Sequence, residues 1–337
     1  MKTNKILNKL YHGQYLNYSE NEKLFHSIIY EKLTPLQITS VLISMKIRGE
    51  SYEEIASAAN VLLKIAKPFP HPQYPFADIS GTGGDKNKTI NISTTSAIVA
   101  ASCGLKIIKH GNHNISGHTG SADLLSGLNI KLNVSIQQSL KSLQQAGICF
   151  LYAPQYHPIL KHVQKIRQDL KTPTLFNILG PLINPAKPPL AIIGVYKPEL
   201  LLPVALTVKQ LKYHHTAIIA HCDGTDEIGL HAPTKIAEFH KGKIQQYTLT
   251  ASDFGLKNQK KNVIITKSKQ ENIDSILKLL QGQGKTEHEY VIAANVAMLL
   301  KLFGNNNLID NTHRALEAIH EKTAYKNLLE LQHCQQT

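Results

Sequence analysis

Phe76-Ala77-Asp78-Ile79-Ser80-Gly81-Thr82-Gly83-Gly84-Asp85, followed by Asn91-Ile92-Ser93-Thr94-Thr95-Ser96, is the stretch whose reading decides the fold of this chain. The first five residues read as a strand, and an Ala-rich helix is expected from the second motif to about Cys103. Between them, three glycines let the backbone take positive φ and approach a ligand closely. The helix start adds unpaired N–H groups and the positive end of a dipole. Phosphate oxygens suit both features, and the hydroxyls of Ser93 and Thr94 can add hydrogen bonds or reach a phosphate-bound Mg²⁺. Taken alone, such a turn is more often a plain structural turn, and this one is neither a Walker loop nor a Rossmann fingerprint.

Its neighbours make it a site. Lys109-His110-Gly111-Asn112 follows the next expected strand, at the carboxyl edge of a parallel sheet where ligands collect. Ser116-Gly117-His118-Thr119-Gly120-Ser121-Ala122-Asp123 supplies further small donors before a helix. Strands are expected over 76–80, 106–109, 148–153, 190–195 and 217–221, alternating with helical stretches. That alternation predicts an α/β fold with a mostly parallel sheet flanked by helices. A hairpin over 235–249, turning at Lys241-Gly242, interrupts it.

Upstream, Ser19-x-x-Glu22, Thr34-Pro35-x-Gln37 and Ser51-x-x-Glu54 fit helix-start capping boxes, the second with Pro at the first helical position. Ile38, Val41, Leu42 and Met45 share one helix face. A small all-helical layer is therefore expected before residues 67–75, whose four prolines mark a linker. The C-terminus returns to amphipathic helices over 287–303 and 312–331.

Composition bounds the rest. In 337 residues, 42% are hydrophobic and 18% charged, ordinary for a folded chain. No apolar run reaches the length of a membrane span and no signal-peptide core follows Met1, so a cytoplasmic protein with no membrane partner is expected. Cys103, Cys149, Cys222 and Cys334 are too dispersed for a disulfide framework and read as buried thiols. The 17 histidines show no zinc spacing. Net charge is +13, which favours anionic partners. Nucleic acid is not the expected one, because only Arg48, Arg167 and Arg314 are arginines and the basic stretch 257–269 has no interleaved aromatics.

These motifs resemble the anthranilate phosphoribosyltransferases, which join anthranilate to phosphoribosyl pyrophosphate (PRPP). Gly81–Asp85, Asn91–Thr94, Lys109–Asn112, Gly120-Ser121-Ala122-Asp123, Phe176-Asn177-Ile178-Leu179-Gly180-Pro181-Leu182-Ile183-Asn184-Pro185 and Asp223-Gly224-Thr225-Asp226-Glu227 stand in the family's order. The resemblance implies a homodimer with a small helical domain over 1–73, joined by helices from about 160–186, and a large α/β domain over 74–159 and 187–337. It places PRPP against Gly81, Gly84, Asp85, Thr89, Asn91, Ile92, Ser93, Thr94, Lys109, His110, Gly111, Asn112, Ser116, Gly117 and Ser121. Anthranilate would meet Gly81, His110, Asn112, Arg167, Gly180 and Pro181. Two Mg²⁺ per subunit would be held by Ser93, Asp226 and Glu227.

Hard oxygen ligands suit Mg²⁺, and a guanidinium at Arg167 can hold a carboxylate in two hydrogen bonds. In isolation, Asp226-Glu227 could equally cap a turn and Arg167 could be a surface ion-pair partner. The chain departs from the family pattern at His113-Asn114, where an Arg and a small residue are usual. It also carries Cys222 for a usual Gly and Thr225 for a usual Leu. Rival readings on the same resemblance are a pyrimidine nucleoside phosphorylase and a non-catalytic nucleic-acid-binding relative.

Overall fold

The computed structural model of the chain describes residues 3–84, 89–113 and 120–336. Four helices come first: α1 (Thr3–Tyr11), α2 (Tyr18–Ile29), α3 (Pro35–Arg48) and α4 (Tyr52–Ile65). Thr34 and Ser51 cap α3 and α4 in the expected boxes. The start of α2 differs from expectation. Asn17 is its cap, accepting Glu20 N–H at 2.9 Å while the Glu20 carboxylate accepts the Asn17 N–H at 3.2 Å. Lys9 pairs with Glu20 at 2.8 Å and so favours that box over the one at Ser19.

Beyond the proline-rich segment, the chain alternates β1 (Ala77–Gly81), α5 (Ile92–Ser102), β2 (Ile107–Gly111), α6 (Ser121–Gly127), α7 (Ile136–Gln145) and β3 (Ile148–Tyr152). It continues through α8 (Ala153–Tyr156), α9 (Lys161–Leu170), α10 (Leu175–Leu179), β4 (Leu190–Gly194), α11 (Leu201–Leu211) and β5 (Thr216–His221). The hairpin β6 (Thr234–His240) and β7 (Lys243–Leu249) turns at Lys241-Gly242, both at positive φ as a two-residue turn requires. Helices α12 (Lys269–Leu280), α13 (Thr286–Leu302), α14 (Leu308–His320) and α15 (Thr323–Cys334) complete the chain. The single C-terminal helix expected over 312–331 is thus two helices. Lys322 takes φ 60° and turns the chain, although no Gly or Pro marks the break.

The seven strands lie in the order β3-β2-β1-β4-β5-β6-β7, with β1 to β5 parallel and β6 and β7 antiparallel. Successive residues of β4 and β5 face opposite sides, as a pleated strand demands. Leu190, Ile192, Ile218 and Ala220 join a core with α5 and α13, whereas Ala191, Ile193, Ala217 and Ile219 join one with α4, α10 and α11. Burial on both faces is why these strands read as unbroken apolar runs. α5 is buried nearly all round, which explains its uniformly apolar composition. Helices α9 and α10, distant in sequence, pack on the N-terminal helices, with the Phe25 and Phe176 rings 5.9 Å apart. Among the described residues no helix is long and apolar enough to cross a membrane, and all four cysteines are buried and free.

Candidate active site

In the strand order the connections from β1 run one way, to β2 and β3, and those of β4 the other, to β5. The β1 and β4 ends therefore bound a crevice at the topological switch point, where open α/β sheets bind ligands. Gly81 ends β1 and Gly194 ends β4, side by side in register. Asp226 fills the space their missing side chains leave. A Cβ on Gly81 would lie 2.0 Å from the Asp226 carboxylate, and one on Gly194 would lie 1.5 Å from the Asp226 carbonyl oxygen. The carboxylate accepts the Gly83 N–H at 2.6 Å. Thr82 N–H donates to Gly194 O at 2.9 Å, and Tyr196 N–H to the Thr82 hydroxyl at 3.2 Å. The glycine loop is thereby tied to both strand ends. Gly84, at φ 83°, packs so closely on Pro173 that a Cβ would lie 2.7 Å from its ring.

Lys109, at 2% exposure, lies near the end of β2 with its ammonium buried in the same crevice. It donates to Ile79 O and, at 3.3 Å, to the Ser93 hydroxyl in the first turn of α5. Burial pushes the Lys109 ammonium below its ordinary value, opposed by the nearby carboxylates of Asp78, Glu227 and Asp226. Burial likewise pushes the Asp226 carboxyl up, opposed by the Gly83 N–H. A desolvated cation thus sits among desolvated acids, so a bound anion would stabilise the one and a bound cation the others. Thr94, next to Ser93, is buried with a hydroxyl that has no protein partner among the described residues.

Further residues that the resemblance places against PRPP frame the crevice. Asn91 precedes α5 and exchanges two hydrogen bonds with Asn272 of α12, Asn91 N–H to Asn272 Oδ1 at 3.2 Å and Asn272 Nδ2 to Asn91 Oδ1 at 2.5 Å. Thr89 bridges to Ile265, and Ile92 is buried in the first turn of α5. Gly111 ends β2 against Ser121, whose hydroxyl donates to Asn112 O at 3.2 Å. A Cβ on Gly111 would lie 2.3 Å from that hydroxyl. Asp85, Ser116 and Gly117 lie outside the described residues.

The other side of the crevice is built from α9, α10 and the segment after them. His110 Nδ1 donates to Gly180 O at 3.3 Å, beside the buried Pro181. Burial, with His157 close by at 5.4 Å between ring centres, pushes His110 down to about 3, so its ring is neutral. Its Nε2 is then a bare acceptor, buried and without a protein partner among the described residues. Arg167 donates to Asn177 Oδ1 at 3.3 Å and lies over the Phe176 ring at 5.5 Å. Burial lowers it to about 10, which leaves it charged. Asn177 in turn donates to Thr82 O at 3.4 Å, so the guanidinium is linked to the glycine loop through one side chain.

Two models of the glycosyl transferase family match the chain, the helical bundle domain over residues 4–66 and the a/b domain over 73–325. The chain is 57% identical over 327 residues to the anthranilate phosphoribosyltransferase of Blochmanniella pennsylvanica, covering 97% of this chain and 95% of that protein. It is 53% identical over 326 residues to that of Sodalis glossinidius, covering 97% and 98%. The chain belongs to the anthranilate phosphoribosyltransferase family. Solved members superpose on it throughout. The Thermus thermophilus enzyme gives a TM-score of 0.90 at 29% identity, covering 98% of this chain and 99% of that one. The Saccharomyces cerevisiae anthranilate phosphoribosyltransferase in complex with PRPP and Mg gives 0.89 at 27%, covering 99% and 98%.

For an anthranilate phosphoribosyltransferase, several site-building residues here escape a reading of motifs. Asp78 is buried under the site, where its carboxylate accepts Asn184 Nδ2 at 2.8 Å and His110 N–H at 3.4 Å. The one visible signal is a carboxylate inside an apolar strand run. Asn272 carries no such signal, since its partner Asn91 is 181 residues away; Thr82 and Asn177 stand within the motifs, but nothing there shows that the two touch across 95 residues. Among the described residues no group of three His, Cys, Asp or Glu side chains is placed to hold a metal by itself. A hydroxyl and two adjacent acids offer instead the sparse oxygen set of a Mg²⁺ shared with substrate phosphates, and the buried Asp226 would gain from a cation. The His113 ring lies 3.1 Å from Asp123 Oδ1, and Lys269 reaches the same oxygen at 2.9 Å, so two basic groups gather where the family's usual arginine is replaced.

Proposed function

We propose that this chain transfers the phosphoribosyl group of PRPP to the amine of anthranilate, giving N-(5-phosphoribosyl)anthranilate and pyrophosphate, as a cytoplasmic step of tryptophan biosynthesis. The observation that carries the reading is the Asp226–Gly83 contact beside the buried Lys109 at the switch point, an anion cradle with its own acid. PRPP would lie along Gly81, Gly84, Thr89 and the start of α5, with Lys109, Gly111, Asn112 and Ser121 closing around its phosphates. Ser93, Asp226 and Glu227 would hold Mg²⁺, two ions per subunit. When bound, Mg²⁺ supplies a hard positive centre that neutralises the charge developing on departing pyrophosphate.

The chain's residues then have to orient a neutral aryl amine and manage charge. Lys109 and the glycine-loop N–H groups would face the leaving oxygens, where preplaced donors lower the barrier. Arg167 and Asn112 would position anthranilate, and the bare Nε2 of His110 can accept a hydrogen bond from its amine. Attack at ribose C1 with inversion forms the C–N bond as the C1–O bond to pyrophosphate breaks; the amine is uncharged beforehand, so no base is needed to start, and the proton its nitrogen then sheds passes to the departing pyrophosphate or to water.

The homodimer would form on the helical layer. Leu36 and Ile47, eleven residues apart on one face of α3, are 80% and 81% exposed, an apolar display that a partner subunit would cover. The catalytic reading is tested by following anthranilate fluorescence with PRPP and Mg²⁺. The expected result is turnover by the wild type and a loss of about 100-fold or more for Asp226→Asn. Metal-replete protein that leaves anthranilate untouched, or that splits thymidine with phosphate, would overturn it.

A further inference from the structure

We propose that His221 is a positioning residue for Asp226 and Glu227, strapping the turn that carries them to the end of β4; this rests on the phosphoribosyl-transfer reading above. The turn is Cys222-Asp223-Gly224-Thr225. Cys222 N–H donates to Thr225 O at 3.1 Å, Thr225 N–H to Cys222 O at 2.8 Å, and the Thr225 hydroxyl to the same oxygen at 2.6 Å. Its central residues, Asp223 at φ 43° and Gly224 at φ 77°, are both left-handed, the requirement of a primed two-residue turn. Gly takes that conformation freely and Asp at modest cost. A turn of this kind aims the next residue, and the next residue is Asp226.

His221, 6% exposed, immediately precedes the turn and bonds on both sides of its ring. Its Nδ1 donates to Val195 O at 2.8 Å, and its Nε2 accepts the Gly224 N–H at 3.2 Å. A carbonyl can only accept and an N–H can only donate, so the two partners select one neutral tautomer. Val195 follows Gly194, the glycine on which Asp226 rests. The imidazole therefore joins the far corner of the turn to the strand end that shapes the acid's seat. Thr225, the next link, is 2% exposed and held inside the same turn. Movement of Gly224 away from Val195 would be passed to Asp226 within two residues.

The test separates the two bonds. In His221→Asn the amide nitrogen falls near the position of Nδ1 and keeps Val195 O, but nothing reaches Gly224. In His221→Gln the amide oxygen reaches the position of Nε2 and restores the Gly224 bond. The Asn variant is expected to raise the KM for PRPP and the Mg²⁺ requirement about tenfold while leaving the KM for anthranilate within about twofold. Amide exchange at Gly224 should quicken about tenfold or more in that variant and return toward wild type in the Gln variant. In the wild type, Mg²⁺ with PRPP should slow exchange at Gly224 together with Gly83.

Gly224 exchange indifferent to both His221→Asn and Mg²⁺ with PRPP would overturn the proposal. So would Asn and Gln variants that weaken PRPP and anthranilate alike. A wild type that binds no PRPP would instead overturn the transfer reading, while the exchange comparison between variants would still decide the strap.

Discussion

Asp226 keeps its place because two glycines leave room for it, and that makes the smallest substitution informative. Gly81→Ala puts a methyl 2.0 Å from the Asp226 carboxylate, so the acid or the strand end must move. The expected cost is about 1–3 kcal/mol in urea unfolding, as for other overpacked cores. PRPP affinity measured calorimetrically with Mg²⁺ should fall by about tenfold or more, since the Gly83 contact is lost. Histidines give a second residue-scale prediction. Burial holds His110 and His214 down to about 3 and His157 to about 4. Unfolded, they take up protons below the ordinary histidine value of about 6.5, while the folded chain does not. The unfolded state thus binds more protons between those values, and stability is lost as pH falls through that window. Each buried histidine contributes a slope of about 1.4 kcal/mol per pH unit there. Asp78 and Asp226, pushed up by burial, act with the opposite sign above the ordinary carboxylate value. Burial also lowers His231 and His288 and raises Glu50, so five histidines stand against three acids, and urea midpoints should fall from pH 7.5 to 5, less steeply in His214→Leu.

Among the elements, α5 matters most to the site, because its first turn carries Ile92, Ser93 and Thr94. Its cap residue, Asn91, makes no side-chain bond to the helix and is held instead by Asn272 of α12. Asn272→Ala removes both of these bonds to Asn91, and α12 is expected to loosen from α5. Urea unfolding should show a loss of about 1–3 kcal/mol, the cost of buried polar groups left unbonded. An unchanged midpoint would mean that water replaces Asn272 at no cost. The parallel strands were legible in advance to within a residue or two, because burial on both faces writes itself into continuous apolar runs. The misread helix start at Asn17 and the missed break at Lys322 have different causes. At residues 17–22 two overlapping boxes, Asn17-x-x-Glu20 and Ser19-x-x-Glu22, compete and the chain uses the first, while the break at Lys322 is a backbone angle with no composition signal of its own.

At the scale of the whole molecule, the crevice lies between the sheet ends and a helical layer assembled from the N-terminal helices and a distant insertion. Pro173 against Gly84, Asn177 between Arg167 and Thr82, and His110 against Gly180 are among the contacts that join the two sides. The exposed face of the same layer gives the remaining prediction. Leu36→Asp with Ile47→Asp should convert a dimer to a monomer in light scattering while leaving the unfolding midpoint of the α/β part little changed. A wild type that is monomeric at micromolar concentration would rule out that interface.

The glycine turn and the helix start after it were legible from residue types, because a close turn demands glycine, whereas Lys109 and the acidic pair stood out only through the motifs shared with the family. The alternation of strands and helices was legible for the same kind of reason, a local pattern with a local cause. Tertiary structure alone decided that Asp226 sits on Gly81 and Gly194, that Asp78 and Asn184 brace the site from beneath, and that His221 ties the acidic turn to β4. Those contacts join residues far apart in the chain, and their energy comes from burial and from complementary donors and acceptors, which exist only once the strand order has brought the two ends together.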